Sequence, residues 1–425
     1  MAQQLYFSRD TKMFLEFDSF VWEIPVLDGF SFSQATNSSE ITLNEMESSA
    51  GVSRRGRRAF NDSLAPGEWS FSTYVRPFTA AGATQGSGSA DAAAEVHAVE
   101  EVLWALMAGA DNYGSSKYDK GGTDVLVPAG SEMNINFDSS NVAQLSTFNL
   151  YFVLGNDNRT VMKLDGCVVG EASLDFDIDG IATIAWSGNA ANVVDFTGST
   201  IQATSAPAVT ATTADGSTIA VGDVFLDTDN NHKLQVVTVK PGSGNVTLGS
   251  YVNEAITDTT NFIRNRLTVL TVTPTSTDPD SDGSAELESS YSLTLTGGNV
   301  TISNNITFIT PEEIGIVNVP IGHVTGTRNI SGSFTCYLTE DTSTVNASRD
   351  FFEDLRAITN VVTNSFALVF KIGGASGTGL ELNMATSHVE IPTHSIEDVI
   401  SLETNFQALP STIDGTNEIT LKYRP

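Results

Sequence analysis

Basic residues are scarce in this chain. Only 21 Lys and Arg stand against 51 Asp and Glu, a formal charge of −30 over 425 residues. Proteins that grip nucleic acid or anionic membranes need basic surface to neutralise phosphates, so the balance argues against both classes. Cysteine is almost missing. Cys167 and Cys336 are too few for a disulfide scaffold or a four-cysteine zinc module. No apolar run approaches the roughly 20 residues of a membrane helix. The opening MAQQLYFSRDTKMFLEFDSF lacks the basic stretch and apolar core of a secretory signal. The expectation is a soluble protein made in a cytoplasm, with chance Asn-x-Ser/Thr triplets at Asn37, Asn61, Asn305 and Asn329.

Catalytic patterns are missing too. His97, His232, His323, His388 and His394 are scattered, and the six-residue gap between the last two is no recognised metal spacing. No G-x-S-x-G elbow in a strand–turn–helix context, H-E-x-x-H pair or phosphate-binding loop occurs. The two cysteines read as small buried apolar groups. Asp278-Pro-Asp-Ser-Asp-Gly283 resembles the start of a calcium loop, but the twelfth position is Ser289 rather than Glu, so it reads as a solvated acidic turn. No enzyme, cofactor or bound metal is expected.

What the sequence does hold is strands. Trp69–Val75 and Phe366–Ile372 are rich in β-branched and aromatic residues, and Gly, Asn, Asp and Pro clusters punctuate the chain. The hydrophobic content of 40% suffices for cores. A mainly β fold, sandwich or barrel, is expected. Two amphipathic helices interrupt it, over Asp91–Ala108 with Gly109 as the stop, and over Asn346–Val362.

These helices sit in an internal repeat. Ser70-Phe-Ser-Thr-Tyr-Val75 precedes the first and Ser333-Phe-Thr-Cys-Tyr-Leu338 the second. Phe148–Gly155 follows the first and Phe366–Gly373 the second. Asn37-Ser-Ser-Glu-Ile-Thr42 and Asn304-Asn-Ile-Thr307 lie upstream in turn. Matches in the same order predict a duplicated domain. The expected units are a first domain over 1–196, a Thr/Ala/Gly/Val-rich β insertion or linker over 197–260, and a second domain over 261–425. Within the insertion, Ile219–Leu226 and Leu234–Val239 are expected to pair through the turn Asp227–Lys233. The second unit's first strand is expected at Leu267–Val272.

Two charge clusters stand out. In Leu174-Asp-Phe-Asp-Ile-Asp179, period two puts Asp175, Asp177 and Asp179 on one strand face and Leu174, Phe176 and Ile178 on the other. The acidic face is either ordinary solvated sheet or the wall of a channel. Ser53-Arg-Arg-Gly-Arg-Arg58 packs four of the 13 arginines, Arg54, Arg55, Arg57 and Arg58, into five positions. It reads as a basic loop. In so acidic a chain, contact with a neighbouring copy is the preferred role over phosphate contact or simple solvation.

Further residues carry a family resemblance. Arg57-Arg-Ala-Phe-Asn-Asp-Ser-Leu-Ala-Pro-Gly-Glu-Trp-Ser-Phe-Ser-Thr-Tyr74 resembles the tail tube proteins of T-five-like siphophages. So do Asn37–Glu45, Trp186–Asn189, Asn304–Pro311, Val319–Gly322 with Thr325-Gly326, and His388–Thr393. The matches cover both halves. The segment Thr197–Asp258 is longer than the family's usual junction, and the immunoglobulin-like domain found at the C-terminus of some members has no counterpart before Pro425.

The resemblance implies two tandem tube domains, each a β-sandwich with a flanking helix, in a structural virion protein. Three subunits would form a pseudo-hexameric ring, and rings would stack into a tube whose inner sheets join as a β-barrel. The implied place is the phage tail, assembled in the host cytoplasm. The implied partners are further copies of the chain and other tail proteins (tape measure, terminator, distal tail protein), with no membrane. Double-stranded DNA would pass through without sticking. A ring of three would carry a formal charge of about −90, and carboxylates on the bore would repel phosphate over a Debye length of ~8 Å. Asp175, Asp177 and Asp179 are the lumen candidates. Arg54, Arg55, Arg57, Arg58, Phe60, Asn61 and Asp62 are the candidates for contacts between subunits or rings. The rival reading is a surface or secreted acidic β-adhesin binding glycan or calcium, which leaves the duplication unexplained.

Overall fold

A computed structural model describes the chain apart from residues 1–4, 46–53, 80–94, 110–118, 121–122, 125, 138–144, 156–158, 204–218, 229–232, 240–245, 253–261, 279–282, 286, 315, 341–346, 358–364 and 414. The first module runs β1 (Thr11–Phe17), β2 (Phe20–Ile24), β3 (Ser31–Ser33), β4 (Thr36–Glu45), β5 (Arg54–Leu64), β6 (Gly67–Tyr74), β7 (Pro77–Thr79), β8 (Val96–Ala98) and α1 (Glu101–Ala108). It continues through β9 (Asp119–Lys120), β10 (Thr123–Asp124), β11 (Leu126–Ala129), β12 (Glu132–Asn136), β13 (Phe148–Leu154), β14 (Thr160–Asp177), β15 (Thr183–Ala190) and β16 (Asn192–Asp195). A small sheet follows, β17 (Thr200–Ala203), β18 (Val224–Asp227), β19 (Leu234–Val239) and β20 (Thr247–Leu248), then β21 (Ser250–Val252), parallel to β2. The second module holds β22 (Val269–Pro274), β23 (Tyr291–Leu293), β24 (Leu295–Ser303), β25 (Ile306–Ile309), β26 (Gly322–Thr325), β27 (Asn329–Tyr337) and α2 (Ser348–Ala357). It ends with β28 (Phe366–Ile372), β29 (Gly379–Val389), β30 (Thr393–Ile396), β31 (Ile400–Ala408) and β32 (Thr420–Arg424).

The duplication is written into the pairing. β1 pairs with β2 and β13, as β22 pairs with β23 and β28. β3–β6 recurs as β24–β27, the hairpin β4–β5 as β25–β26, β6–β15 as β27–β31, and β13–β14 as β28–β29. Even an irregularity is copied. The register slips between Phe148 and Leu150 in one module and between Phe366 and Leu368 in the other, the one-residue defect by which a strand bends toward a second layer. In the first module that bend continues as the 18-residue β14, whose register against β15 shifts between Val169 and Glu171. In the second module β29 and β30 do the same work, with Pro392 between them. Proline has no N–H to give a ladder, so the strand is split there.

Eight antiparallel segments, β3–β6–β15–β14(171–177)–β24–β27–β31–β30, form one sheet shared by both modules. The modules meet inside it along β14–β24. They meet again where β12 pairs with β32. Alternation fixes the faces: in β6, Trp69, Phe71 and Thr73 are buried, while Glu68, Ser70, Ser72 and Tyr74 point away from the core. Against the buried face pack α1 and the outer strands, in one apolar cluster from Met13 to Tyr423. α1 is buried along its whole length and stops at Gly109, whose φ of 99° closes the helix through an N–H to the Ala105 carbonyl at 2.8 Å.

One packing pair is reversed between the two modules. Trp69 on β6 lies over Gly188 on β15. At the equivalent pair the sizes reverse, with Gly332 on β27 under Phe406 on β31. A Cβ built on Gly332 would sit 2.1 Å from the Asn299 carbonyl oxygen and 2.7 Å from the Phe406 ring.

Several expectations change. The first helix begins at Glu101, because Val96–Ala98 pairs with β7 as a strand; residues 91–94 of the expected helix lie outside the described residues. α1 is buried on every side rather than amphipathic. The second helix is described over Ser348–Ala357. The second module's first strand starts at Val269, after a 3-10 turn at Asn265–Leu267. The hairpin inside the insertion forms as expected, with Leu226 opposite Leu234. Val224, Leu226, Leu234 and Val236 then pack on Phe14, Val21, Tyr151, Val153 and Val161 of the first module.

Candidate functional site

The face of the shared sheet turned away from the core is polar from edge to edge. Cross-strand register lines it up: Ser70, Ser187, Glu171, Ser303 and Asn329 sit opposite one another in sequence across the strands. The next line is Ser72, Ala185, Ser173, Thr301, Ser331 and Gln407. The third is Tyr74, Thr183, Asp175, Asn299, Ser333 and Asn405. Glu68, Glu171, Asp175, Asp177 and Glu403 supply carboxylates to this face, all exposed. None of the eight segments contains a Lys or an Arg. Small hydroxyl and amide side chains fill the spaces between the acids, so the surface is smooth, hydrated and of one sign.

The face carries a groove of similar volume in each module. One shallow groove of about 490 Å³ is lined by Ser31, Ser33, Glu68, Ser70, Glu171 and Ser187 among others. Its counterpart of about 500 Å³ is lined by Asn299, Thr301, Ser331, Ser333, Asn405 and Gln407 among others. Ser70 and Ser333 occupy equivalent positions in the two, and so do Ser187 and Asn405.

The sequence candidates divide. Asp175 and Asp177 are exposed on this face, alternating with buried Leu174 and Phe176. Asp177 accepts the Gly180 N–H at 2.8 Å. Asp179 lies past the strand end, where it pairs with Arg266 at 2.6 Å, and Ile178 is exposed rather than buried because the ladder has stopped. Glu68 and Glu403 escaped sequence reading, since each is the lone acid of its segment and joins the others only through register, and Glu171, on the strand face of Asp175 and Asp177 by period two, was legible but not singled out.

The arginines are not in a loop. Arg54–Arg58 begin β5, laddered against β4 from Arg54 opposite Glu45 to Arg58 opposite Ile41. A partner strand whose own run starts at Thr36 converts the apparent basic loop into a long hairpin. Arg57 pairs with Glu40, its second nitrogen 3.1 Å from the carboxylate. Arg57, Arg58, Phe60, Asn61 and Asp62 are exposed. Asp62 accepts a hydrogen bond from the Ser39 hydroxyl, and its carbonyl accepts the Asn318 N–H at 3.2 Å. The side chains of Arg54 and Arg55 are outside the described residues.

Other chemistry-bearing groups are structural. Cys167 and Cys336 are buried and unpaired, and burial raises both thiols, Cys336 to about 12. Behind α1, Trp104 donates to the Tyr423 hydroxyl at 2.7 Å and Tyr423 donates to Glu100 at 2.8 Å. Burial pushes Glu100 up to about 7. His97 Nδ1–H donates to Glu101 at 2.8 Å in the same buried layer. Among the described residues no group of three or more His, Cys, Asp or Glu could hold a metal ion. The calcium-like run over Asp278–Gly283 lies mostly outside the described residues. No described helix is long and apolar enough to cross a membrane.

A mainly β, two-module chain with one continuous, acid-bearing sheet face fits a structural protein of a phage tail better than an enzyme or a membrane-spanning protein. In this it is similar to the tail tube proteins of T5-like siphophages. It is 28% identical to tail tube protein pb6 of Escherichia phage T5 over 402 residues, 93% of this chain and 69% of that protein. No protein-family profile matches the chain.

Proposed function

We propose that three copies close into a ring of six modules, that rings stack into the tail tube, and that the polar face of the shared sheet lines the bore through which viral DNA passes. The observation that carries this reading is the eight-segment face with five carboxylates and no cation. Phosphate binds protein by releasing counterions to Lys and Arg. A wall without either offers DNA no foothold, and its carboxylates repel the polyanion over ~8 Å. Duplication supports the ring: two like modules joined by β14–β24 already have the relation that neighbours in a ring need.

On this reading residues 1–196 and 261–425 are the tube domains and 197–260 decorate the outside of the first. Asp175 and Asp177 face the bore with Glu68, Glu171 and Glu403, while Asp179 is held at its rim by Arg266. The hairpin β4–β5, with Arg54, Arg55, Arg57, Arg58 and Phe60, reaches to a neighbouring subunit or ring. Tape measure, terminator and distal tail proteins cap or fill the tube, which assembles in the host cytoplasm without catalysis.

The test is charge reversal in the bore. Tubes of the Glu171→Lys/Asp175→Lys variant should retain labelled double-stranded DNA at low salt and release it as salt rises. Unmodified tubes should retain none. Equal retention by both would defeat the assignment of this face to the lumen.

A further inference from the structure

The two modules meet at two seams of different chemistry. The inner seam, β14 on β24, buries Leu174, Phe176, Val300 and Ile302 on one face and turns Glu171, Asp175 and Asp177 to water on the other. Its buried face holds no ionisable side chain. The outer seam, β12 on β32, does, for Tyr423 stands opposite Met133 there and reaches the start of α1 in the other module. The Tyr423 hydroxyl donates to one Glu100 oxygen at 2.8 Å and accepts the Trp104 N–H at 2.7 Å. Tyr423, Trp104 and Glu100 are wholly buried.

Glu100 is poorly provided for as an anion. Its second oxygen is buried with no hydrogen-bond partner. The neighbouring acid on α1, Glu101, is better served, taking the His97 Nδ1–H at 2.8 Å and the Ala98 N–H at 3.3 Å from β8. His97 also lies 3.9 Å from Glu95. Arg76, just ahead of β7, attracts the Glu100 charge, but burial outweighs it together with the Tyr423 hydrogen bond and raises the acid to about 7. β12 and β32 turn Met133, Ile135 and Leu421 to the core, while Glu132, Lys422 and Arg424 alternate onto the opposite face. Arg328 and Glu418 stand at the far end of the seam, where Asn136 pairs with Thr420.

We infer that the proton on Glu100 is a latch on the outer seam. With it, Tyr423 stays seated against α1 and β32 stays laddered on β12. Without it, the carboxylate needs water, and the Met133–Tyr423 end of the seam opens to admit it while the inner seam stays closed. An acid that holds its proton more tightly in the closed form contributes fully below its open-form value of 4.5, and the contribution is lost as pH rises to about 7. Opening of the outer seam should therefore rise on the order of 50-fold between pH 5 and pH 8. The inference concerns the single subunit and does not depend on the tube reading.

Hydrogen exchange of the unassembled full chain tests it, read at pH 5 and pH 8 and corrected for the intrinsic exchange rate. Glu132–Asn136 and Thr420–Arg424 should lose protection on the order of 50-fold at the higher pH. Ala172–Asp177 and Gly297–Ser303, at the inner seam, should change far less. Glu100→Gln should make the outer seam equally protected at both values. Tyr423→Phe removes the one donor to the carboxylate and should widen the ratio between them, a readout that remains should Glu100→Gln fail to fold. Equal loss at both seams, an outer seam indifferent to pH, a ratio that survives Glu100→Gln, or one that Tyr423→Phe leaves unchanged would each overturn the latch.

Discussion

Replacing Arg328 with Met should loosen the two modules from each other. Arg328 precedes β27, yet its guanidinium reaches across the module boundary. Nε donates to the Asn304 side chain at 3.3 Å, one terminal nitrogen donates to the Phe137 carbonyl at 3.3 Å, and the same nitrogen lies 3.6 Å from the Glu418 carboxylate. The cation also sits 4.8 Å from the centre of the Phe137 ring. Asn304 in turn donates to the carbonyls of Met107 and Val169, at 3.0 and 3.4 Å. Glu418 is only 8% exposed, and one of its oxygens has no hydrogen-bond donor. Taking Arg328 away leaves that carboxylate buried without its cation. Breaking one side of a buried ion pair costs about 3–5 kcal/mol, and the lost contact with the ring adds up to about 1 kcal/mol. Met fills the volume of the stem, so a cavity contributes little. Urea unfolding of the unassembled subunit should therefore show a loss of about 4 kcal/mol for Arg328→Met. The Arg328→Met/Glu418→Gln pair should recover about 2 kcal/mol of it, because a neutral amide is far cheaper to bury than a carboxylate. A loss under about 1 kcal/mol in the single variant, or no recovery in the double, would refute the claim that Arg328 and Glu418 are a coupled buried pair at the module boundary.

Three further outcomes follow from the same structure. Glu100 is raised to about 7 by burial behind α1, so the folded state holds its proton more tightly than the unfolded state does. Subunit stability should fall as pH rises from about 4.5 through 7, by up to about 3 kcal/mol, and Glu100→Gln should remove that dependence in pH-resolved unfolding curves; an unchanged slope would exclude Glu100 as its source. Gly332→Ala forces a methyl against a backbone oxygen and the Phe406 ring and should cost at least about 2 kcal/mol, with Phe406→Ala relieving only the ring's share in a double-variant melt. Reversing Arg54, Arg55, Arg57 and Arg58 to Glu should block polymerisation while leaving the circular dichroism of the subunit unchanged, and normal tubes in negative-stain images would reject the hairpin as a contact.

Sequence reading succeeded where neighbours in sequence carry the signal. Ser70–Tyr74 and Ser333–Tyr337 show the same alternation because both must bury every second side chain against the same kind of core, and the structure aligns them strand for strand. Asp175 and Asp177 were legible because period two separates them from Leu174 and Phe176. It fell short where the partner is distant. Val96–Ala98 suits a helix face as well as a strand, and only β7 decides between them. Arg54–Arg58 looks like a loop until β4 is laid alongside. Glu68 and Glu403 join the acids of β14 on one surface only because β6 and β31 lie in one sheet with it. The swap of Trp69 over Gly188 for Phe406 over Gly332 could not be read at all, since large and small residues change strands between the modules.

The most direct measurement is a cryo-electron microscopy map of filaments grown from the purified chain. The account predicts hollow tubes built of three-copy rings with pseudo-sixfold walls, with Glu171, Asp175 and Asp177 facing the channel. Solitary globules, or a tube whose channel is lined by another surface and whose shared-sheet acids face outward, would contradict it.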